Sequence, residues 1–523
     1  MSKIGIDSIS YYVPRLYLDI RALAAARDIE PDKLTKGLGL DAMALMDTDE
    51  DTATMAAEAV LRLIRENDID PRTIGRLYLG TESALDAAKP TATYVCEILE
   101  QALEAKYGAR CLRHCDALDM TFACVGAVDA LHNSLEWVRG DASRRAIVVA
   151  SDFAKYALAS PGEYTQGAGA VAMLVCQEPR LLSLKGNIGV GMCSVGDFYK
   201  PHRAFSRREL LAAALRAADA PADGQAVEAA LERLSGDDFW GHADREVLVH
   251  RDEPVFDGPM SNECYCERIA EALDHLAAQE PLDVLQDWDY LAFHQPYAYQ
   301  GRRMAVRNWV GWMRDKGLLD QVEQQAGVRF GENDFYRAAA RTPLYRAFVA
   351  QRIEPGERAS SRIGNLYTGS MFMSLVSLLR CLYEQGEQAA GRTVGCLAYG
   401  SGSKSKVFAL QVESGWKERL APLDVFSELA ERQQVDFDTY QALHTGALEA
   451  PLIPGKAIRF VATGDTPTTV GLPASLWLRS VEQPVLFLLR GGKYQGSVIG
   501  SPAQAHFPQA VFRMFERIRS RSL

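Results

Sequence analysis

A chain of 523 residues with 48% hydrophobic and 24% charged side chains is long enough for several domains or for one large duplicated core. Its net charge of −11 argues against a general nucleic-acid binder, while leaving room for a local basic pocket for a phosphorylated ligand. The ten cysteines make no disulfide framework, neither Cys111/His114/Cys115 nor Cys264/Cys266 has a second ligand pair at zinc spacing, and no apolar run reaches the ~18 residues that span a bilayer. A reduced cytoplasmic enzyme without metal, nucleic acid or membrane partner is expected.

Residues 4–13 alternate as a strand ending at Pro14, and 18–26 and 52–66 read as helices. Leu77 to Glu82 reads as a short buried strand, which puts Glu82 at a strand end, where side chains point into clefts. The stretch Asp119 to Val128 then stops at Cys124 and becomes a helix, with apolar residues at Val125, Val128, Leu131, Leu135 and Val138. That places Cys124 near the positive end of a helix, which favours thiolate, and Ala123, Gly126 and Ala127 leave space beside the sulfur. Taken alone, Cys124 reads better as a buried structural cysteine; the rest of the chain reverses that reading. Residues 146–152 and 167–175 follow as continuous apolar strands.

Residues 203–246 break the pattern, being rich in alanine and in both charge signs, and suggest an inserted helical hairpin around the loop 220–224. The second half then repeats the order of the first. Asp289 to His294 matches the strand into Glu82, and Gly369-Ser370-Met371 opens a helix as Ala123-Cys124-Val125 did. Residues 394–402 match 146–152, and 407–412 match the strand around Ala172. Such a repeat implies two similar α/β halves with Glu82 and His294 at equivalent strand ends, so that two strand ends and a helix N-terminus converge. The expected division is 1–185 for the half with the nucleophile, 186–280 for a connection holding the insertion, 281–495 for the half with the histidine, and 496–523 for an amphipathic tail helix. Residues 416–432 read as one helix and 483–489 as a late strand.

Cysteine, glutamate and histidine without a metal suit thioester chemistry. A thiol exchanges acyl groups with thioesters at little energetic cost, a buried carboxylate removes a proton beside a carbonyl, and an imidazole polarises the carbonyl that receives the carbanion. The motifs Gly80-Thr81-Glu82-Ser83 with Asp86 and Lys89, Ala123-Cys124, Gln166 to Met173, Asp197 to Pro201, and Val255 to Gly258 with Ser261 and Tyr265 are then specific. So are Phe293 to Pro296, Gly364 to Ser370 and Tyr399 to Gly402. With these motifs in this order, the chain resembles the hydroxymethylglutaryl-CoA synthases of the thiolase superfamily, from its first strand to about residue 495.

The resemblance implies a five-layered αβαβα fold, a homodimer and a reaction without a cofactor. Cys124 would take the acetyl group of acetyl-CoA, and Glu82 would deprotonate it as general acid/base. His294 would bind the acceptor, acetoacetyl-CoA, in the mevalonate pathway. Asn365, Ser401 and Gly400 would position the acceptor or form the oxyanion site with Cys124, while Tyr199, Lys200, Arg302 and Arg303 would serve the CoA moiety. The chain departs from the family pattern at Val125, where an aromatic is common and the change would reshape the acyl pocket, and at Gln295 and the 203–246 insertion. Two rivals remain: a synthase whose acceptor rides on acyl carrier protein, as in polyketide β-branching, and a catalytically silent paralogue that binds a partner. A plain thiolase or ketoacyl synthase would need a histidine or cysteine where Ser401-Gly402-Ser403 stands.

Overall fold

The computed structural model describes residues 2–235, 246–448 and 450–453, with the strands Phe460–Val461, Leu476–Arg479, Pro484–Arg490 and Lys493–Val498. The chain divides into two compact units, one of residues 1–199 and 256–460 and the other of 200–255 and 461–523.

The first unit is built on a nine-stranded sheet. Its order is Tyr290–Phe293, Thr393–Gly400, Lys404–Val412, Leu182–Met192, Ile4–Tyr12, Gly167–Gln177, Ala146–Ala154, Arg76–Gly80 and Asp116–Met120. Ile4–Tyr12 and Leu182–Met192 meet antiparallel at the centre, through Gly5 opposite Ser183 and Ile6 opposite Leu182. Outward from that joint the strand directions repeat. Ile4–Tyr12 is followed by two antiparallel neighbours and then the parallel Arg76–Gly80. Leu182–Met192 is followed by two antiparallel neighbours and then the parallel Tyr290–Phe293. The same succession of strand directions thus runs outward from the joint on both sides. Asp116–Met120 has no counterpart and closes the sheet as an edge strand.

Two helices occupy equivalent places in the chain, Gly126–Arg139 before Ala146–Ala154 and Ser370–Glu384 before Thr393–Gly400. Helices apolar on most sides belong in a core rather than on a surface. Val128, Leu131 and Leu135 of the first and Phe372, Leu375 and Leu379 of the second accordingly enter one buried cluster with both sets of strands. Each such side chain contributes roughly 1.5–3 kcal/mol of apolar burial, so these helices set the rigid base on which the loops beyond the strand ends stand.

Three readings change. The strand into Glu82 ends at Gly80, so Glu82 stands two residues beyond it on a loop. The expected helix 416–432 is two short ones, Trp416–Leu420 and Val425–Ala430, because Pro422 cannot continue the ladder and Asp424 caps the second at Ser427. The expected helix 18–26 begins only at Ile20, capped by Asp19, because Leu16–Asp19 is a strand paired with Ala42–Leu45. In the second unit, the helices Arg207–Ala217 and Gly224–Arg233 pack through Leu211, Val227 and Leu231 beside a two-stranded ladder of Arg203–Ser206 and Glu246–Val249. The expected tail helix at 507–518 lies outside the described residues.

Candidate active site

Cys124 sits in the turn before the helix Gly126–Arg139, and no side chain caps that helix N-terminus. The turn is tight: the N–H of Val125 donates to the Phe122 carbonyl at 3.0 Å, and Ala123 takes a left-handed φ of 36°. That conformation costs an ordinary residue of order 1 kcal/mol and lifts the following side chain out of the helix path. Two glycines press on this turn. A Cβ at Gly80 would lie 2.2 Å from the Ala127 nitrogen, and one at Gly400 2.8 Å from the Phe122 carbonyl oxygen. Thus the ends of the strands Arg76–Gly80 and Thr393–Gly400 reach the Cys124 turn only because they carry no side chain there.

The thiol of Cys124, 9% exposed, donates to Glu82 Oε1 across 3.1 Å. Glu82 is held from behind by Asp152, a fully buried carboxylate near the C-terminal end of Ala146–Ala154. Asp152 Oδ1 accepts from the Glu82 N–H and the Thr81 hydroxyl, both at 2.9 Å. Its Oδ2 accepts from the Thr368 N–H at 3.1 Å and from the Thr368 hydroxyl. One side chain therefore ties the loop of Glu82 to the Tyr367–Gly369 turn, far along the chain.

His294 follows Tyr290–Phe293 and continues its ladder, its N–H donating to Leu397. The ring is 2% exposed, and burial pushes its pKa down to about 3, so it is neutral. Nδ1 lies 3.0 Å from the Ser370 hydroxyl, which accepts from the Gln295 N–H at 2.7 Å. With the hydroxyl proton turned to Nδ1, Nε2 carries the ring proton and is the donor. Tyr265 stacks on the imidazole at 6.3 Å between centroids and donates to the His294 carbonyl. Burial raises the Tyr265 phenol well above its ordinary value.

Asp197, also fully buried, accepts from the Tyr399 hydroxyl at 2.8 Å and the Gly402 N–H at 2.7 Å, fixing the loop that carries Gly400 and Ser401. Ser401 meets the Ser261 hydroxyl at 3.2 Å. Asn365 is buried, and its carbonyl accepts from the Tyr367 N–H at 2.8 Å. Tyr199 is exposed at the end of the first unit, and Lys200 begins the second.

The paired arginines divide. Arg302 is committed to the buried Glu357, with Nε at 2.9 and 3.0 Å from its two oxygens, and lies over the Tyr299 ring. Its charge is met by Glu357, whereas Arg303 is exposed beside Tyr297. The reading of Val125 is corrected. It packs in the main core, not among the residues around the sulfur, which are Ala154, Tyr156 and Tyr367 with Phe198 and Phe256. Asp152 and Ser370 were visible as polar residues at a strand end and a helix start, whereas Tyr156 carried no pattern that marked it.

Two family models match this chain: the N-terminal part of hydroxymethylglutaryl-coenzyme A synthase over residues 1–179 and the C-terminal part over 249–446. The synthase of Haloferax volcanii is 30% identical over 460 residues, covering 85% of this chain and 92% of its own. The chain belongs to the hydroxymethylglutaryl-CoA synthase family. Members are thiolase-like condensing enzymes of the acyltransferase type. The synthase of Enterococcus faecalis is likewise 30% identical, over 86% of this chain and 93% of its own. A solved synthase in complex with 3-hydroxy-3-methylglutaryl coenzyme A superposes with a TM-score of 0.65 at 27% identity, over 95% of this chain and 99% of the other. The synthase of the curacin biosynthetic pathway shares the mixed α/β fold, with a TM-score of 0.66 at 19% identity over 95% of this chain and all of its own. No helix among the described residues is long and apolar enough to cross a membrane.

Proposed function

We propose that this synthase joins acetyl-CoA to acetoacetyl-CoA and water, giving 3-hydroxy-3-methylglutaryl-CoA and free CoA for the mevalonate pathway. The observation that carries the residue assignment is the 3.1 Å contact between Cys124 and Glu82. Glu82 accepts the thiol proton as the sulfur attacks acetyl-CoA, and CoA leaves with a proton in exchange. The same carboxylate then stands beside the methyl of the acetyl thioester and removes its proton. The carbanion adds to C3 of acetoacetyl-CoA, whose oxygen is polarised by neutral His294 through Nε2–H and takes up a proton equivalent to the one Glu82 removed. Water cleaves the remaining thioester to cysteine. Backbone N–H groups of Cys124 and Ser401 stabilise the thioester oxyanion, Asn365 and Gly400 shape the acceptor side, and Tyr199, Lys200 and Arg303 serve the CoA moiety.

The finer fold reading goes with it: five layers, αβαβα, in two halves of 1–185 and 281–495, with a connection of 186–280 and a tail of 496–523. The mirrored strand directions support it. A homodimer is proposed as well, supported by the single-sided pairing of Asp116–Met120 and the exposure of Leu118 on it. A thiol nucleophile calls for a reducing compartment, the cytoplasm.

The test is intact-protein mass after mixing with acetyl-CoA, followed by a chase with acetoacetyl-CoA or acetoacetyl carrier protein. An acetyl adduct on Cys124 that the CoA acceptor discharges as hydroxymethylglutaryl-CoA supports the reading. Discharge by the carrier-protein acceptor alone moves the enzyme to β-branching, and no adduct at all rejects catalysis.

A further inference from the structure

We infer that Phe198 and Phe256 act as a size filter for the acyl donor, limiting the group carried by Cys124 to two carbons. The inference rests on the condensing reaction proposed above and names the residues that choose its donor.

Cys124 shares a buried cluster with Ala154, Tyr156 and Tyr367, and Phe198 and Phe256 are the partly buried side chains packed against it. The rings form two braced pairs. Phe256 meets Tyr156 edge-on, with centroids 5.1 Å apart and planes at 74°, and Phe198 meets Tyr367 at 5.9 Å and 74°. Edge-to-face contacts of this kind resist ring rotation. Both tyrosines lie deep in the protein, Tyr156 7% and Tyr367 1% exposed, so the inner wall has little room to retreat.

The outer pair is fixed by the backbone. Asp257 N–H donates to the Asp197 carbonyl at 2.9 Å, joining the two segments on which the phenylalanines stand. These are also the points where the chain leaves the first unit, after Tyr199, and re-enters it at Phe256. Ala154 is the one small side chain of the set. The space at the sulfur is therefore bounded by aromatic rings held on both sides, and an added methylene on the acyl group must displace one of them. In a close-packed wall such a displacement is costly. The transfer step itself is the same for acetyl and propionyl donors. The sulfur forms the new C–S bond, the bond to CoA breaks, and the CoA thiolate takes up a proton equivalent to the one the cysteine lost.

The experiment is a competition on the full chain between equal concentrations of acetyl-CoA and propionyl-CoA, read as intact-protein mass at short times. One methylene discriminates by about 10–200-fold in an apolar pocket, so the unaltered chain is expected to prefer acetyl by at least ~10-fold. Phe256→Ala and Phe198→Ala are each expected to reduce that preference about tenfold, while Phe330→Ala, at an exposed ring outside the cluster, leaves it unchanged. If an alanine variant loses its native circular dichroism, Phe256→Leu and Phe198→Leu take its place with a smaller shift in the same direction. A preference that stays put in both phenylalanine variants while Cys124 still acquires acetyl overturns the filter. Equal use of both donors by the unaltered chain overturns it as well. Failure of the unaltered chain to acquire acetyl overturns the condensing reaction instead, and the two failures are read from different samples.

Discussion

Cys124 Sγ and Glu82 Oε1 stand 3.1 Å apart, on turns that follow two different strands of one sheet. In the reaction proposed above, the carboxylate would serve the sulfur first and the acetyl methyl afterwards, so removing it should damage the two steps unequally. Cys124→Ser should form no acyl thioester. Glu82→Ala should still accept acetyl, more slowly, while condensation falls by roughly 10²–10⁴-fold, the usual worth of a placed general base. Single-turnover acetylation and product formation, measured separately, check both; equal loss in the two steps would reject the dual role.

Asp152 holds that base without touching the sulfur. Asp152→Asn turns one acceptor oxygen into a donor facing either the Thr81 hydroxyl and Glu82 N–H or the Thr368 hydroxyl and N–H. A buried polar group left mismatched costs about 1–3 kcal/mol. Denaturant unfolding should register that loss, and condensation should fall more than the affinity for CoA.

His294 sets a pH signature. Its ring is pushed by burial from 6.5 down to about 3 in the folded protein, so between those values the unfolded chain binds more protons. Its contribution to stability is whole above pH 6.5 and is lost progressively as pH falls toward 3. Condensation should show no limb near pH 6.5 from this imidazole. A pH–rate profile from 5 to 8 and unfolding midpoints at pH 4, 5 and 7 check the two halves of the statement.

Gly80 and Gly400 test how closely the halves approach the nucleophile turn. In Gly80→Ala the new Cβ falls 2.2 Å from the backbone nitrogen of Ala127, which no side-chain rotation relieves. Overpacking of this kind costs roughly 1–3 kcal/mol or more. The unfolding midpoint should drop, and acetylation should fall even in the fraction that stays folded.

Tyr156 is held by both of its backbone groups. Its N–H donates to Gln166 at 2.8 Å, and its carbonyl accepts from His444 Nε2 at 2.8 Å. Gln166 is itself anchored on Tyr440, and Tyr440 on the Glu163–Arg27 pair. His444→Leu should slow acetylation severalfold with CoA affinity unchanged, and His444→Gln, which keeps a donor, should recover part of the rate. Stopped-flow acetylation alongside CoA titration separates this from a general loss of fold.

By itself the sequence determined most of the order of strands and helices and singled out Cys124, Glu82 and His294 as candidate reactive groups. These follow from local quantities: apolar period, small residues at a tight turn, and the chemistry of a thiol, a carboxylate and an imidazole. Only the tertiary structure decided which neighbours each group meets. Arg302 is taken by Glu357, Val125 turns into the core, Asp152 reaches Thr368, and the residues around the sulfur include Tyr156, which no pattern announced. Each of these depends on contacts between residues far apart in the chain, and contact at that range is set by how the sheets and helices pack, a quantity that no window of sequence contains.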